Sequence, residues 1–127
     1  MSKAVLDSSA MLAILFDEPG AEKLNDEIMA DAVASMVNLA EVQSKLVAKG
    51  QHPDVAWENV LSIANPAEYT LEQAKTSGTL VKRTAPFGLS LGDRCCLVLA
   101  IALKAEVYTA DRIWSGLYIG IPIHVIR

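Results

Sequence analysis

The sequence predicts an α/β fold, a three-layer α/β/α sandwich in which helices cover both faces of a five-stranded parallel sheet. The first observation is that short strand-like runs alternate with helical runs along the whole chain. The second is that these short strands are apolar on both faces, which is typical of a parallel sheet buried between helices. The third is size, because 127 residues with 52% hydrophobic composition suit one domain, spanning residues 1–127.

The N-terminal half is predicted to contain two strands and four helices. The strands are residues 3–6 and 32–37, and the helices are residues 8–16, 21–30, 38–50 and 53–64. The segment Asp17-Glu18-Pro19-Gly20 separates the first two helices. Asn38 is predicted to be the N-cap of the third helix, with Glu41 at its third position, and this helix stops at Gly50. Pro53 is typical of the first turn of the fourth helix.

The C-terminal half is predicted to contain three strands and two long helices. The strands are residues 68–70, 106–109 and 121–126, and the helices are residues 71–83 and 92–104, with a loop at 85–88 and a short helix or turn at 111–116. Gly78 weakens the first of these helices. The second is almost entirely apolar after its first turn, so we expect it to lie in the core. Trp114 is expected to pack the short helix onto the domain.

Charge and composition exclude several classes of protein. The net charge of −4 argues against nucleic-acid binding through broad phosphate neutralisation, so any such contact is expected to be local or bridged by a cation. The longest apolar run, residues 95–103, is about half of the ~20 residues that cross a bilayer. Polar residues at positions 7–9 interrupt the first apolar run, so we expect no secretory segment. The adjacent Cys95 and Cys96 are expected to be buried thiols in a cytoplasmic protein.

Four carboxylates each stand where a predicted helix or turn begins. They are Asp7, Glu41, Asp93 and Asp111. Taken singly, each is explained as a helix cap or a first-turn acid, which contributes ~1 kcal/mol. Ser90 and Asp93, for example, have the spacing of a capping box. Taken together, they are expected to converge, because the carboxyl ends of parallel strands lie at one edge of the sheet.

Converging carboxylates are unstable without a counter-charge. Two such acids at ~5 Å repel by ~3 kcal/mol at an effective dielectric constant of about 20, which exceeds the contribution of a cap. The cluster therefore needs a cation or must take up protons. Oxygen ligands without histidine or cysteine favour Mg²⁺ or Mn²⁺ over zinc. A carboxylate-held ion of this kind suits phosphodiester hydrolysis.

Four stretches of the sequence resemble the PIN domain family, and within it the VapC-like toxins of type II toxin-antitoxin systems. They read VLDSSAMLAILFDEPGAE, ASMVNLAEVQSKL, GLSLGDRCCLVLAIAL and VYTADRIW, in the order and spacing of the family. The resemblance implies a PIN-like sheet of order 3-2-1-4-5 and an endoribonuclease dependent on Mg²⁺ or Mn²⁺. It also implies an RNA substrate, a cognate VapB-like antitoxin and a homodimer.

The resemblance also assigns residues to the site. The implied catalytic acids are Asp7, Glu41, Asp93 and Asp111, and the implied metal ligands are Asp7, Asp93 and Asp111. Ser9 and Thr109 resemble the polar residues that order this acidic pocket. Lys45, Arg94 and Arg112 lie near these motifs and are expected to contact substrate phosphates. Whether the site holds one ion or two stays open.

Two other classes of function compete with this one. A non-catalytic PIN-like binding module would use the same acidic pocket to receive a basic residue of a partner protein. A phosphoryl-transfer enzyme would also place an aspartate after the first strand. A haloacid-dehalogenase-like phosphatase needs a second aspartate where this chain has Ser9, and a response-regulator-like receiver needs an acidic pair that the sequence lacks. The sequence therefore favours the nuclease, with the binding module as the alternative.

Overall fold

The computed structural model describes residues 3–127, and within this range a five-stranded sheet lies between two layers of helices. The strands are β1 (Ala4–Leu6), β2 (Ala32–Ser35), β3 (Asn65–Ala67), β4 (Glu106–Thr109) and β5 (Ile123–Val125). The helices are α1 (Ser8–Leu15), α2 (Asp26–Met29), α3 (Met36–Ala48), α4 (Pro53–Leu61), α5 (Leu71–Thr79), α6 (Val81–Thr84) and α7 (Leu91–Leu103). Three 3-10 turns are Ala21–Lys23, Ala85–Phe87 and Arg112–Gly116.

The sheet is entirely parallel, with the order β3-β2-β1-β4-β5. The central strand β1 sets the register, because Val5 pairs with Val33 on one side and with Val107 on the other. The predicted order 3-2-1-4-5 and the α/β/α architecture are confirmed. Since β1 and β4 are neighbours, the residues that follow them meet at one edge of the sheet.

Alternation along the central strand divides the core into two layers. Leu6 faces the layer formed by α1, α3 and α4, where Met11 and Leu39 are fully buried. Val5 faces the opposite layer, where α7 packs across the sheet. Trp114 is fully buried in this second layer, as expected for a residue that packs the last 3-10 turn onto the sheet.

The boundary between β2 and α3 differs from the prediction. Residues 36 and 37 were expected to extend the strand, but the helix already begins at Met36. Ser35 is the N-cap, and its hydroxyl oxygen accepts a hydrogen bond from the Val37 amide at 3.3 Å. The predicted cap, Asn38, therefore lies inside the first turn, where it has a different role.

Strand β3 is the second difference, since it comprises residues 65–67 instead of 68–70. Its position is set by pairing with β2, in which Val33 lies opposite Asn65. It is an edge strand with two exposed residues, so it lacks the apolar pattern by which a strand is recognised. The segment after it instead leads into α5, where Thr70 is the N-cap.

Two predicted helices are interrupted. Residues 21–30 divide into a 3-10 turn and the short α2, because the Asn25 side chain caps a new helix by accepting a bond from the Ile28 amide at 3.0 Å. Residues 71–83 divide near Leu80 into α5 and α6. The predicted loop at 85–88 contains a 3-10 turn.

Helix α7 is the buried helix that the sequence predicts. Cys95 and Cys96 are both buried and free, so neither forms a disulfide. None of the helices in the described part of the chain is both long enough and apolar enough to span a bilayer. The apolar body of α7 anchors the helix across the sheet and so holds its polar first turn in a defined place.

Candidate active site

Asp7 is the most buried acid of the site, with 3% of its surface exposed. It directly follows β1 and is the N-cap of α1, where its Oδ1 accepts a hydrogen bond from the Ala10 amide at 2.8 Å. The backbone of the central strand and the first turn of α1 thus fix this carboxylate at the edge of the sheet.

Two hydroxyl groups complete the environment of Asp7. The Thr109 hydroxyl at the end of β4 donates to Oδ2 at 2.6 Å, and the Ser9 hydroxyl donates to Oδ1 at 2.8 Å. Ser9 in turn accepts a bond from the Ala110 amide at 2.9 Å. Thr109 accepts one from the Asp111 amide at 3.1 Å. The structure therefore places both predicted supporting residues in direct contact with Asp7.

Burial raises the pKa of Asp7 from its usual 3.8 to about 6. Hydrogen bonds from Thr109, Ala10 and Ser9 oppose this rise because they stabilise the charged form, whereas the negative charge of Asp93 adds to it. Desolvation is the larger effect. An isolated, buried carboxylate of this kind favours a proton or a cation.

Asp93 has the local role that the capping pattern predicts. Its amide donates to the Ser90 hydroxyl oxygen at 3.2 Å, and its Oδ2 accepts from the Ser90 amide at 2.9 Å, which completes a capping box at the start of α7. Its pKa is nevertheless raised, mainly by burial and further by the charges of Glu41 and Asp111. Asp93 is therefore both a helix cap and a member of an acidic cluster.

Glu41 and Asp111 complete the group of four acids. Glu41 projects from α3, and its Oε1 accepts bonds from the Ser8 hydroxyl at 2.7 Å and from the Asn38 amide group at 2.9 Å. Asp111 follows β4 and caps the last 3-10 turn by accepting a bond from the Ile113 amide at 3.0 Å. Both carboxylates raise the pKa of Asp93, and the charge of Asp93 raises that of Asp7, so each of the other three acids is electrostatically coupled to Asp93.

The donor set of this edge suits a hard divalent cation. It consists of carboxylate and hydroxyl oxygens, which are the ligands that Mg²⁺ and Mn²⁺ prefer. The two histidines have other contacts: His52 caps α4, and His124 bonds Glu106 at 2.8 Å. Within residues 3–127, however, no three acidic, histidine or cysteine side chains are grouped closely enough to hold an ion. Each of the four carboxylates accepts at least one hydrogen bond from a protein donor.

Basic side chains adjoin the acids on one side. Lys45 lines a cavity of about 540 Å³ that reaches Ser9, and Arg112 lines a second cavity of about 510 Å³ that reaches Ser9 and Asp111. Ser9 and Arg127 line both cavities, and we call the two together the basic groove; its cations are Lys45, Lys49, Arg112 and Arg127. Glu18 also lines the first cavity, where its carboxylate lies 3.4 Å from the Arg127 guanidinium and offsets that charge.

Arg94 lies apart from the basic groove. Its guanidinium donates to the Ser77 carbonyl oxygen at 3.0 Å and so ties α7 to α5. The structure therefore gives the Arg94 side chain a contact between two helices, although its backbone adjoins Asp93. Adjacent side chains of a helix point about 100° apart, so a guanidinium next to Asp93 in the sequence need not lie next to it in space.

Three residues that contact Glu41 were not predicted as part of the site. They are Ser8, Asn38 and Gly92. Asn38 stands three residues before Glu41, a spacing that also fits a capping box. Because the sequence is explained by a cap, it does not indicate that the Asn38 side chain contacts Glu41. Ser8 and Gly92 adjoin predicted acids in sequence. Nothing in their own pattern distinguishes them from ordinary first-turn residues.

Comparison with known proteins agrees with the geometry. The family model described as the PIN domain matches residues 4–119. No curated protein matches the chain in sequence. Among solved structures, the DNA-bound VapBC of Salmonella typhimurium is similar with a TM-score of 0.77 and 19% identity, covering 100% of both chains. The DNA-bound VapBC2 of Rickettsia felis has a TM-score of 0.75 and 18% identity, covering 98% of both.

A third similar structure is VapC20 of Mycobacterium tuberculosis, described as a toxin that cleaves the sarcin-ricin loop. Its TM-score is 0.71 at 13% identity, covering 94% of this chain and 99% of that one. At such low sequence identities the similarity shows a shared fold and nothing more. The structural neighbours are VapC toxins of VapBC systems. The family model covers most of the chain, from β1 through the last 3-10 turn, and the chain therefore belongs to the PIN domain family.

Proposed function

We propose that this protein is a VapC-like toxin, an endoribonuclease that hydrolyses RNA with a bound Mg²⁺ or Mn²⁺. The observation that carries the proposal is Asp7, a buried carboxylate with a raised pKa that shares one edge of the sheet with three further acids. A fold of this size stabilises such an arrangement poorly unless a cation offsets the charge. The PIN family membership and the VapC neighbours support the same function.

The positions of the four acids suggest a different role for Glu41 than for the three aspartates. Asp7, Asp93 and Asp111 would hold the ion, since each stands at a rigid strand end or helix start. Asp93 Oδ1 and Asp111 Oδ2 accept no hydrogen bond from the described residues, and Asp7 Oδ2 accepts bonds only from the hydroxyl groups of Ser9 and Thr109, which can rotate away. When bound, a divalent cation lowers the pKa of a water molecule and neutralises charge at the phosphorus. Glu41 lies on α3 and would orient the attacking water or take its proton.

The basic groove would bind the RNA strand. Lys45 and Arg112, for which we predict phosphate contacts, line this groove, and Lys49 and Arg127 extend it. The chain has a net charge of −4, so its surface as a whole does not attract RNA. A local group of cations would attract RNA to this groove alone. Arg94 does not belong to this contact surface, because its guanidinium is bonded to Ser77.

We further propose a VapB-like antitoxin as the partner, in a homodimeric cytoplasmic complex. The similar Salmonella and Rickettsia structures are VapBC assemblies bound to DNA. None of the four acids forms an ion pair with another of the described residues, so this edge would favour a basic residue from a partner, which would block the site.

Cleavage of RNA tests the proposed activity directly. The purified chain, separated from any partner, is incubated with total RNA and Mn²⁺ or Mg²⁺. We expect discrete cleavage products that disappear in EDTA and return when the cation is added in excess. Cleavage in EDTA would contradict metal dependence. A folded protein that binds partner peptide but cuts no RNA under any of these conditions would instead support the binding module.

Removing two cations from the basic groove is expected to weaken RNA binding. The variant Lys45→Ala/Arg112→Ala is compared in an inactive Asp7→Asn background, using anisotropy of a labelled single-stranded oligoribonucleotide at constant Mg²⁺ across a NaCl series. Each lost phosphate contact should reduce the slope of log K against log salt by about 0.7. Lys75→Ala on α5, which lines neither cavity, is the matched control. An unchanged slope in the double variant would show that the strand takes another path.

A further inference from the structure

Glu41 is an exposed residue whose carboxylate is nevertheless held in one place. An exposed glutamate on a helix ordinarily samples many rotamers. Here Oε1 accepts two hydrogen bonds, from Ser8 on α1 and from Asn38 one turn earlier on α3. Two different helices therefore fix the same oxygen atom.

Asn38 connects this carboxylate to α7. Its side chain is 1% exposed, and its amide nitrogen donates both to Glu41 Oε1 at 2.9 Å and to the Gly92 carbonyl oxygen at 3.0 Å. Rotating the Asn38 side-chain amide by half a turn would place its oxygen against two acceptor oxygens, which would repel it. The contacts therefore determine which end of the amide is the nitrogen. Its Oδ1 is buried and has no partner among the described residues. Burying this oxygen without a partner is unfavourable, and the two hydrogen bonds that the amide nitrogen donates offset that cost.

Gly92 supplies the space. A Cβ atom at this position would lie 2.7 Å from Glu41 Oε1 and 2.8 Å from its carboxyl carbon, closer than real Cβ contacts. Gly92 is the second residue of α7 and its backbone is helical, so no special backbone conformation requires a glycine there. The glycine leaves the space that the Glu41 carboxylate occupies, and an added Cβ would displace that carboxylate.

We propose that Ser8, Asn38 and Gly92 are positioning residues that seat the Glu41 carboxylate beside Asp93. We call these three the Glu41 seat. The proposal rests on the proposed function for its catalytic consequence, but the contacts themselves do not depend on it. Because Gly92 directly precedes Asp93, the seat sets the distance between the acid on α3 and the acid on α7. A small displacement of a proton-transfer group lowers a rate strongly.

Filling the seat with one methyl group tests the proposal. Gly92→Ala should lower kcat about 100-fold with little change in KM, because Glu41 moves while the basic groove is intact. Gly78→Ala is the matched control: Gly78 is also helical, and a Cβ there meets nothing within 4 Å. It should leave kcat unchanged and raise the Tm by roughly 3–5 °C, the usual gain for alanine in a helix.

A double-variant cycle separates positioning from a merely structural role. In a Glu41→Ala background the clash is gone, so Gly92→Ala should raise the Tm as Gly78→Ala does and should not lower the residual kcat further. In the Glu41-containing protein the same change should bring no such rise. The proposal is wrong if Gly92→Ala still lowers activity in the protein without Glu41. It is also wrong if Gly92→Ala leaves the activity of the Glu41-containing protein unchanged. The Tm cycle in EDTA uses no RNA, so it distinguishes failure of this inference from failure of the proposed nuclease activity.

Asn38→Asp provides a second variant of the same size. It exchanges a donor for an acceptor beside Glu41 and should lower kcat about as much as Gly92→Ala, again only when Glu41 is present. Asn65→Asp, at an exposed position on β3, is its control for the change of amide to acid. Equal activity of the Asn38 variant and wild type would overturn the role of the amide.

Discussion

Replacing Asp7 with asparagine is expected to lower RNA cleavage at least ~1000-fold, the magnitude typical of removing a principal charged group from an active site. Asparagine keeps the size of the side chain and its ability to cap α1, so the fold should persist. What disappears is the negative charge beside Thr109 and Ser9, and with it the strongest attraction for the cation. Single-turnover cleavage of a defined RNA, with circular dichroism as the folding check, measures the effect.

Two further variants make this result specific. Asp31→Asn, at an exposed position before β2, should retain full activity. Asp93→Asn should retain the helix cap, because asparagine caps as well as aspartate, yet lose most of the activity. Wild-type activity of Asp93→Asn would mean that this acid is only a cap. Cleavage that survives Asp7→Asn would contradict the assignment of the metal site.

The metal-free protein is expected to lose stability as the pH rises from 4 to 7. The pKa of Asp7 is about 6 when folded, against a usual value of 3.8. An acid with a higher pKa in the folded state binds its proton more tightly there, so protonation stabilises the fold. This contribution is complete below pH 3.8 and is lost as the pH passes 6. The loss is about 3 kcal/mol, or roughly 10 °C in Tm for a chain of this size.

Thermal unfolding in EDTA at several pH values measures this effect, with Asp7→Asn as the reference. The difference in Tm between the two proteins should grow in favour of the variant between pH 4 and 7. Asp93 changes in the same direction, since its pKa is also raised. Adding Mn²⁺ at pH 7 should reverse the order, because the ion binds only the folded wild-type site; at about 1,000 times its Kd it contributes about 4.1 kcal/mol, more than the loss from the buried charge. If the Tm of the wild type and of Asp7→Asn changed with pH in parallel, the pKa of Asp7 would not be raised by burial, and the prediction would be wrong.

Most of the fold follows from local patterns. The apolar runs before Asp7 and around Val107 predict β1 and β4 closely, and the long apolar helix predicts α7. These elements lie in the centre of the protein, where burial on both faces leaves a strong sequence signal. Strand β3 was misplaced by three residues, because an exposed edge strand is defined by its pairing with β2 and has little hydrophobic pattern of its own.

The candidate site was predictable where its residues stand at an element boundary. The four acids follow strands or begin helices, and parallel topology brings such positions together. The hydrogen bonds of Ser9 and Thr109 join residues that are 100 positions apart in the chain. Their contact with Asp7 could be expected only through resemblance to a family. Arg94 shows the opposite case, in which nearness in sequence to an acid did not place the guanidinium beside it.

The sequence by itself determined which residues form the strands of the centre, which helix is buried and which four acids stand at the edge of the sheet. These features depend on the alternation and capping chemistry of neighbouring residues, which a linear pattern records. Only the tertiary structure decided that Asn38 is a bridge and not a cap, that Gly92 makes room for Glu41, and that Arg94 turns away from the site. The reason is physical, because these roles depend on the packing of α1, α3, α5 and α7, and packing brings together side chains that no spacing along the chain relates.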